Sequence, residues 1–283
     1  MNKPLNRIKN ILWKFWMYRG MRSLKHSGIA GQARNDIGRE NLAASIVKQA
    51  LRETVYSKIT LEEKAWITRI EQIREQFTDN PAPITIRDFG AGDHDSRRSD
   101  EEMELGITSA TTYGEISLGS KPPLWALLLF KLIRNIQPAV AIELGTCIGI
   151  SAAYQAVALQ LNGKGRLISI EGSEAIADLA NKNIESLQLN NADILCGTFK
   201  EVLPEVFKKI SAADYVFIDG HHDEQATGAY FELLLPHLSP GAIVVFDDIS
   251  WSEGMRRAWE KIRKHNAVIF SVDLKMLGIC GMK

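Results

Sequence analysis

Residues 139–151, AVAIELGTCIGIS, constrain the fold of this chain more than any other stretch. A short apolar run ends on an acid, Glu143, and passes through Gly145 and Gly149 toward a helix. An apolar run this short, bounded by glycine, reads as a parallel strand covered on both faces. Its glycines let backbone N–H groups approach a ligand at the strand's carboxyl end, where open α/β sheets bind their ligands.

The rest of the chain repeats the pattern. Strands are expected at 140–144, 167–171, 193–196, 215–219 and 243–247, and helices at 151–161, 174–187, 201–209 and 224–235. Right-handed crossovers then force a mostly parallel, doubly wound α/β sheet with helices on both faces. The tail AVIFSVDLKMLGICGM has two apolar runs about Asp273-Leu274-Lys275 and no helix between them, so it predicts an antiparallel hairpin at the sheet edge.

Glu143 bears on the ligand. A dinucleotide site wants G-x-G-x-x-G, which Gly145-Thr146-Cys147-Ile148-Gly149 does not supply, and a carboxylate there would repel pyrophosphate. S-adenosylmethionine, with an ammonium, a sulfonium and no phosphate, fits better. The next strand ends on Glu171, where a carboxylate can accept from both ribose hydroxyls. An ordinary βαβ unit with solvated acids is the bland alternative. ELGTCIGIS followed by ISIEG resembles the first two motifs of class I S-adenosylmethionine-dependent methyltransferases. The resemblance implies a Rossmann-like domain and a cofactor set of Glu143, Gly145, Thr146, Gly149, Ser151, Glu171, Gly172, Thr198, Phe199 and Asp219. Gly197-Thr198-Phe199 corresponds to that family's adenine-facing turn, although Phe199 could equally be a core residue at a helix start.

Four strands end on acids, Glu143, Glu171, Asp219 and the pair Asp247-Asp248, which a parallel sheet brings to one rim. With no compensating lysine in these motifs, such a rim needs cations. Three oxygen donors, Asp219, Asp247 and Asp248, suit Mg²⁺. YVFIDGHHDE and IVVFDDISW resemble the catechol-type and sugar O-methyltransferases of the bacterial methyltransferase-24-like group, in which acids after the fourth and fifth strands hold the metal. That group often has Asp-Asn where this chain has Asp247-Asp248, which keeps an oxygen ligand and adds charge. A metal-free site stays open. Asp219, His221 and His222 are the catalytic candidates, one histidine serving as base; solvated loop residues are the competing reading. Trp251 either walls the acceptor site or simply packs. His26, His94, His237 and His265 receive no chemistry.

Thirty-four Lys and Arg balance thirty-four Asp and Glu, so nothing global points to nucleic acid. Cys147, Cys196 and Cys280 are far apart and read as reduced thiols of a cytoplasmic protein. No segment is apolar for the ~20 residues a membrane span needs. Residues 1–26 form a basic amphipathic helix: Lys3, Arg7, Lys9, Lys14, Arg19, Arg22 and Lys25 occur with no acid, while Leu5, Ile8, Leu12, Phe15 and Trp16 recur at helical spacing, joined by Trp13. Peripheral attachment to an anionic membrane, docking on a partner and packing on the protein's own core are its three open fates. Residues 27–83 are an N-terminal helical region ending at Asn80-Pro81-Ala82-Pro83. Residues 84–123 are a strand-and-loop lead-in. Its Asp88-Phe89-Gly90-Ala91-Gly92 imitates a cofactor loop, but no apolar helix follows. It reads as a lid over the site, a subunit contact or a surface excursion. Residues 124–283 are the S-adenosylmethionine-binding domain.

The expected function is methyl transfer from S-adenosylmethionine to a small-molecule hydroxyl with Mg²⁺ assistance. Relatives of this type often form homodimers. Two rivals remain: a metal-free methyltransferase with a nitrogen or macromolecular acceptor, and an inactive scaffold that docks through its N-terminal helix.

Overall fold

The computed structural model describes residues 3–24, 34–93 and 96–283. Lys25, His26 and His94, named above, lie outside the described residues. Three helices come first, α1 (Lys3–Ser23), α2 (Arg34–Val55) and α3 (Leu61–Phe77). The lead-in follows as β1 (Pro83–Asp88), the short ladder β2 (Gly92–Asp93) and β3 (Ser96–Arg97), α4 (Asp100–Leu105), β4 (Ile107–Thr112) and α5 (Tyr113–Leu118). The alternating part begins with α6 (Pro123–Ile136), β5 (Val140–Leu144), α7 (Ile150–Leu161), β6 (Arg166–Glu171), α8 (Glu174–Ser186) and β7 (Ala192–Cys196). It continues with α9 (Phe199–Phe207), β8 (Ala213–Ile218), α10 (Glu224–Leu234), β9 (Leu238–Phe246), α11 (Glu253–Ile262), β10 (Val268–Asp273) and β11 (Gly278–Met282).

The main sheet has seven strands in the order β10, β11, β9, β8, β5, β6, β7. All neighbours from β9 to β7 are parallel, whereas β11 runs antiparallel to both β9 and β10. The order reverses at β5, so the helices that follow β5 and β8 pack on opposite faces of the sheet, and the ligand position of such a fold lies at the carboxyl ends of these strands. β1 and β4 pair only with each other, in a separate antiparallel ribbon.

Alternation along each strand divides the core. Ala141, Tyr215, Phe217, Ile243 and Val245 face α2, α6, α7 and α8, while Ile142, Leu144, Val216, Ile218, Val244 and Phe246 face α9, α10 and α11. Both faces are covered, which is why these strands read as continuous apolar runs. Met17 of α1 and Val47, Ala50 and Leu51 of α2 share the first of these cores with the sheet.

α6 is buried throughout Leu124–Ile133, including Lys131, because α2 covers the side that faces away from α7. Lys131 Nζ donates to Glu63 Oε2 at 2.8 Å, and Arg134 Nε reaches Glu63 Oε1 at 3.3 Å. Glu63 also closes the capping box of α3 by accepting from the Thr60 N–H at 2.9 Å. One buried carboxylate therefore starts a helix and ties it to α6, which carries the residue Lys121 at its entrance.

Candidate active site

The cofactor side is built on two glycine-dependent approaches. At Gly145, φ is +96° and an added Cβ would lie 2.1 Å from the Asp219 carbonyl oxygen, so only glycine lets the loops after β5 and β8 touch. The Asp219 N–H donates to the Leu144 carbonyl at 2.8 Å and locks that contact. Gly172 meets the ring of Phe89, where a Cβ would come within 2.6 Å. A cavity of about 940 Å³ opens between these loops, lined by Gly145, Glu171, Gly172, Thr198, Phe199 and Asp219 among others.

Glu171 sits at its floor. Its Oε2 accepts from the Cys147 N–H at 2.9 Å and its Oε1 from the Ser173 N–H at 3.0 Å. The Gly172 and Thr146 N–H groups also bond this carboxylate, which lines the cavity where a vicinal diol would meet it. Burial pushes its pKa up, against the pull of those backbone donors, which favour the ionised form.

Glu143, Thr146 and Ser151 are elsewhere. Glu143 is fully buried, accepting from Ser169 Oγ and Gln155 Nε2, each at 2.6 Å, and also from Ser151. Burial pushes its carboxyl up to about 7. Thr146 Oγ1 lies 2.6 Å from Ser169 Oγ. The strand runs one residue past Glu143, to Leu144, and Gln155 of α7 covers the carboxylate. This network lies beneath the glycine loop rather than against the cavity. Gly149, with φ +82°, starts α7. Thr198 closes the capping box of α9 with Glu201. Phe199 packs its ring on Gly220 and edge-on to Tyr230 and His221. The Cys147 thiol is pushed up to about 12 by burial and is no nucleophile.

The acceptor side corrects the expectation of an uncompensated acidic rim. Lys121, in the turn before α6, lies 3.1 Å from Asp219 Oδ1 and donates to Asp247 Oδ2. No spacing rule in the sequence links a lysine 98 positions before Asp219 to that carboxylate. Burial pushes the Asp219 carboxyl up, opposed by Lys121 and His222. His222 Nε2 lies 3.7 Å from Asp219 Oδ1 and its Nδ1 4.0 Å from Asp248 Oδ2. His221 differs: Tyr230 Oη is 3.1 Å from its Nδ1, and burial lowers its pKa, so it stands as a neutral wall. Trp251, 47% exposed, follows in the loop after Asp248.

For a divalent ion, the donors that converge are Asp219, His222 and Asp247, all within 4.8 Å of one another. His222 rather than Asp248 completes the set, and carboxylate plus imidazole chemistry suits a divalent cation. Lys121 and such an ion compete for the same two carboxylates.

The lead-in also contributes. Asp88, Phe89 and Gly90 line the cavity, the Ala91 N–H donates to the His221 carbonyl at 3.1 Å, and Arg98 pairs with Asp88 at 2.8 Å. Among the cavity residues that sequence reasoning passed over, Phe89 could have been found in the cofactor-like DFG loop. Tyr230 carried no signal beyond its place on a helix.

The chain is similar to known methyltransferases. A family model described as a methyltransferase domain matches residues 142–249. A catechol O-methyltransferase of Niastella koreensis is 27% identical over 195 residues, covering 65% of this chain and 86% of that protein. The Bacillus cereus O-methyltransferase solved with S-adenosylhomocysteine is 26% identical with a TM-score of 0.50, over 58% of this chain and 83% of that one. The Streptomyces achromogenes O-methyltransferase TomG, involved in tomaymycin synthesis and solved with S-adenosylmethionine, shares the fold at 23% identity and a TM-score of 0.51, over 58% of this chain and 82% of that one.

Proposed function

We propose that this chain, a class I S-adenosylmethionine-dependent methyltransferase of the O-methyltransferase type, methylates a hydroxyl of a small-molecule acceptor. The observation that carries the reading is the position of Asp219. It lines the cofactor cavity and is also held, through Lys121 and His222, in the cluster beyond it. A sulfonium methyl delivered there would meet an acceptor bound over residues 219–222 and 247–248.

Methyl transfer is an in-line displacement, so alignment of nucleophile and methyl is the chain's main task. Glu171 would hold the ribose, and the backbone about Gly145 and Gly172 the rest of the nucleoside. His222 would take the acceptor's hydroxyl proton as the O–CH₃ bond forms and the S–CH₃ bond breaks, leaving S-adenosylhomocysteine. His221, bound to Tyr230, would shape the pocket. Residues 84–123 would cover the cofactor, and residues 124–283 would carry the chemistry.

Mg²⁺, if bound, would take Asp219, His222 and Asp247 and would itself lower the pKa of a bound hydroxyl, with His222 then a ligand in place of the base. A second reading rests on Lys121: its ammonium already pairs with Asp219 and Asp247, and it would favour a developing oxyanion without metal.

Calorimetric titration of S-adenosylhomocysteine with Mg²⁺ and again with EDTA tests the proposal, followed by turnover of phenolic and sugar hydroxyls under both conditions. Cofactor binding in both and methyl ethers as products are expected. No binding in either would sink the site assignment, and turnover indifferent to EDTA would favour the second reading.

A further inference from the structure

α1 is apolar on two sides. Trp13, Met17, Gly20 and Met21 face the protein: a Cβ at Gly20 would lie 2.6 Å from Leu274 and 2.7 Å from Val272, and the rings of Trp13 and Trp125 are 5.6 Å apart. At 100° per residue, Ile8, Ile11, Leu12, Phe15 and Tyr18 fall on the opposite side. They are 45–62% exposed, and no element covers them among the described residues. The stripe is bordered by exposed Lys9 and Arg19, with Arg19 lying over the Trp16 ring at 5.0 Å.

From this we infer that the outer face of α1 docks on an anionic lipid surface. The charge pattern selects the occupant. Residues 1–26 carry Lys3, Arg7, Lys9, Lys14, Arg19, Arg22 and Lys25 and no acid, within a chain of zero net charge. A second copy of the same helix would set these cations against themselves, whereas anionic headgroups neutralise them while the interface takes the apolar side chains. No helix among the described residues is long and apolar enough to cross a membrane, so the contact is peripheral.

The position of α1 gives the contact a consequence for the site. Trp125 lies one turn beyond Lys121, and Trp16 lies under Lys275 at 5.2 Å. The adjacent Met276 carbonyl accepts from the Ile249 N–H, next to Asp248. α1 therefore borders the acceptor side of the rim through its inner side, and its docked face turns away from it.

The test is co-sedimentation of the full chain with vesicles of phosphatidylcholine alone and of phosphatidylcholine mixed with phosphatidylglycerol. Binding to the anionic vesicles only is expected. The double variant Leu12→Asp/Phe15→Asp and, separately, Lys9→Glu/Arg19→Glu should each weaken it by about tenfold or more, with S-adenosylhomocysteine affinity unchanged. The inference is overturned if the full chain ignores anionic vesicles or if either folded variant sediments as the parent does. It is also overturned if the chain is a dimer that Leu12→Asp/Phe15→Asp turns into monomers, since a second copy would then cover the face.

Discussion

The Lys121 ammonium and the Asp247 carboxylate, 126 positions apart in the chain, form a buried ion pair at the mouth of the site. Asp219 shares the same ammonium at 3.1 Å. Two carboxylates this close would repel each other without a cation between them, so Lys121 is what allows the rim to be acidic at all.

Removing that cation should be costly in a way that metal can relieve. Breaking a buried pair from one side costs about 3–5 kcal/mol, because the remaining charge stays desolvated. Lys121→Met should therefore lower the thermal midpoint in EDTA, and Mg²⁺ should recover part of the loss while moving the parent protein less. A variant as stable as the parent in EDTA, with no response to Mg²⁺, would show that the two carboxylates need no cation.

On the proposed reading Glu171 would anchor the cofactor through charge-assisted hydrogen bonds, which contribute about 1.5–3 kcal/mol each. Glu171→Gln keeps the size and one acceptor oxygen but loses the charge. S-adenosylhomocysteine should bind about tenfold to a hundredfold more weakly by calorimetry, and the unfolding midpoint should fall as well, because the amide NH₂ would face a backbone N–H from which the carboxylate now accepts. Unchanged affinity would move the ribose site away from the end of β6.

These two residues mark what was legible in the chain and what was not. Glu171 was readable because it ends an apolar run in a βαβ unit, and strand ends share a rim in a parallel sheet. The strands expected at 140–144 and 167–171 were readable because burial on both faces writes continuous apolar runs into the sequence, and the edge hairpin of β10 and β11 because no helical pattern separates its two runs. Lys121 was not readable, because it reaches Asp219 and Asp247 only through the tertiary path of α6. The orientation of α1 was hidden too. Its stripe of Ile8, Leu12 and Phe15 left membrane, partner and core all open as its fate, and only the close approach at Gly20, on the other side, against Leu274 and Val272, shows which side packs inward. Glu143 looked like a ligand contact and is instead covered by Gln155.

The two histidines should separate kinetically. His222→Asn should lower kcat by about 10²–10⁴, the usual contribution of a positioned base. His221→Phe keeps the ring that packs on Phe199 and loses the bonds to Tyr230 and to the Met103 backbone. Its effect should fall mainly on KM. Equal losses of kcat in both variants would mean that His222 is not the base.

Glu143 makes stability depend on pH in a direction opposite to that of most carboxylates. Its folded pKa is raised to about 7 from an ordinary 4.5, so the folded protein holds a proton that the unfolded chain has released. The stabilising contribution of that proton is complete below the unfolded value and is lost as pH rises through the folded one. Between about pH 5 and pH 8 the loss amounts to about 3 kcal/mol as an upper figure. Glu143→Gln has nothing to ionise, and any hydrogen bond it fails to make to Ser169 is a fixed offset at every pH. Urea unfolding of both proteins at the two ends of this window should therefore show the stability difference shifting in favour of the variant as pH rises. A difference that stays constant would mean that the Glu143 carboxylate remains ionised beneath the glycine loop, stabilised there by the Ser169, Ser151 and Gln155 donors.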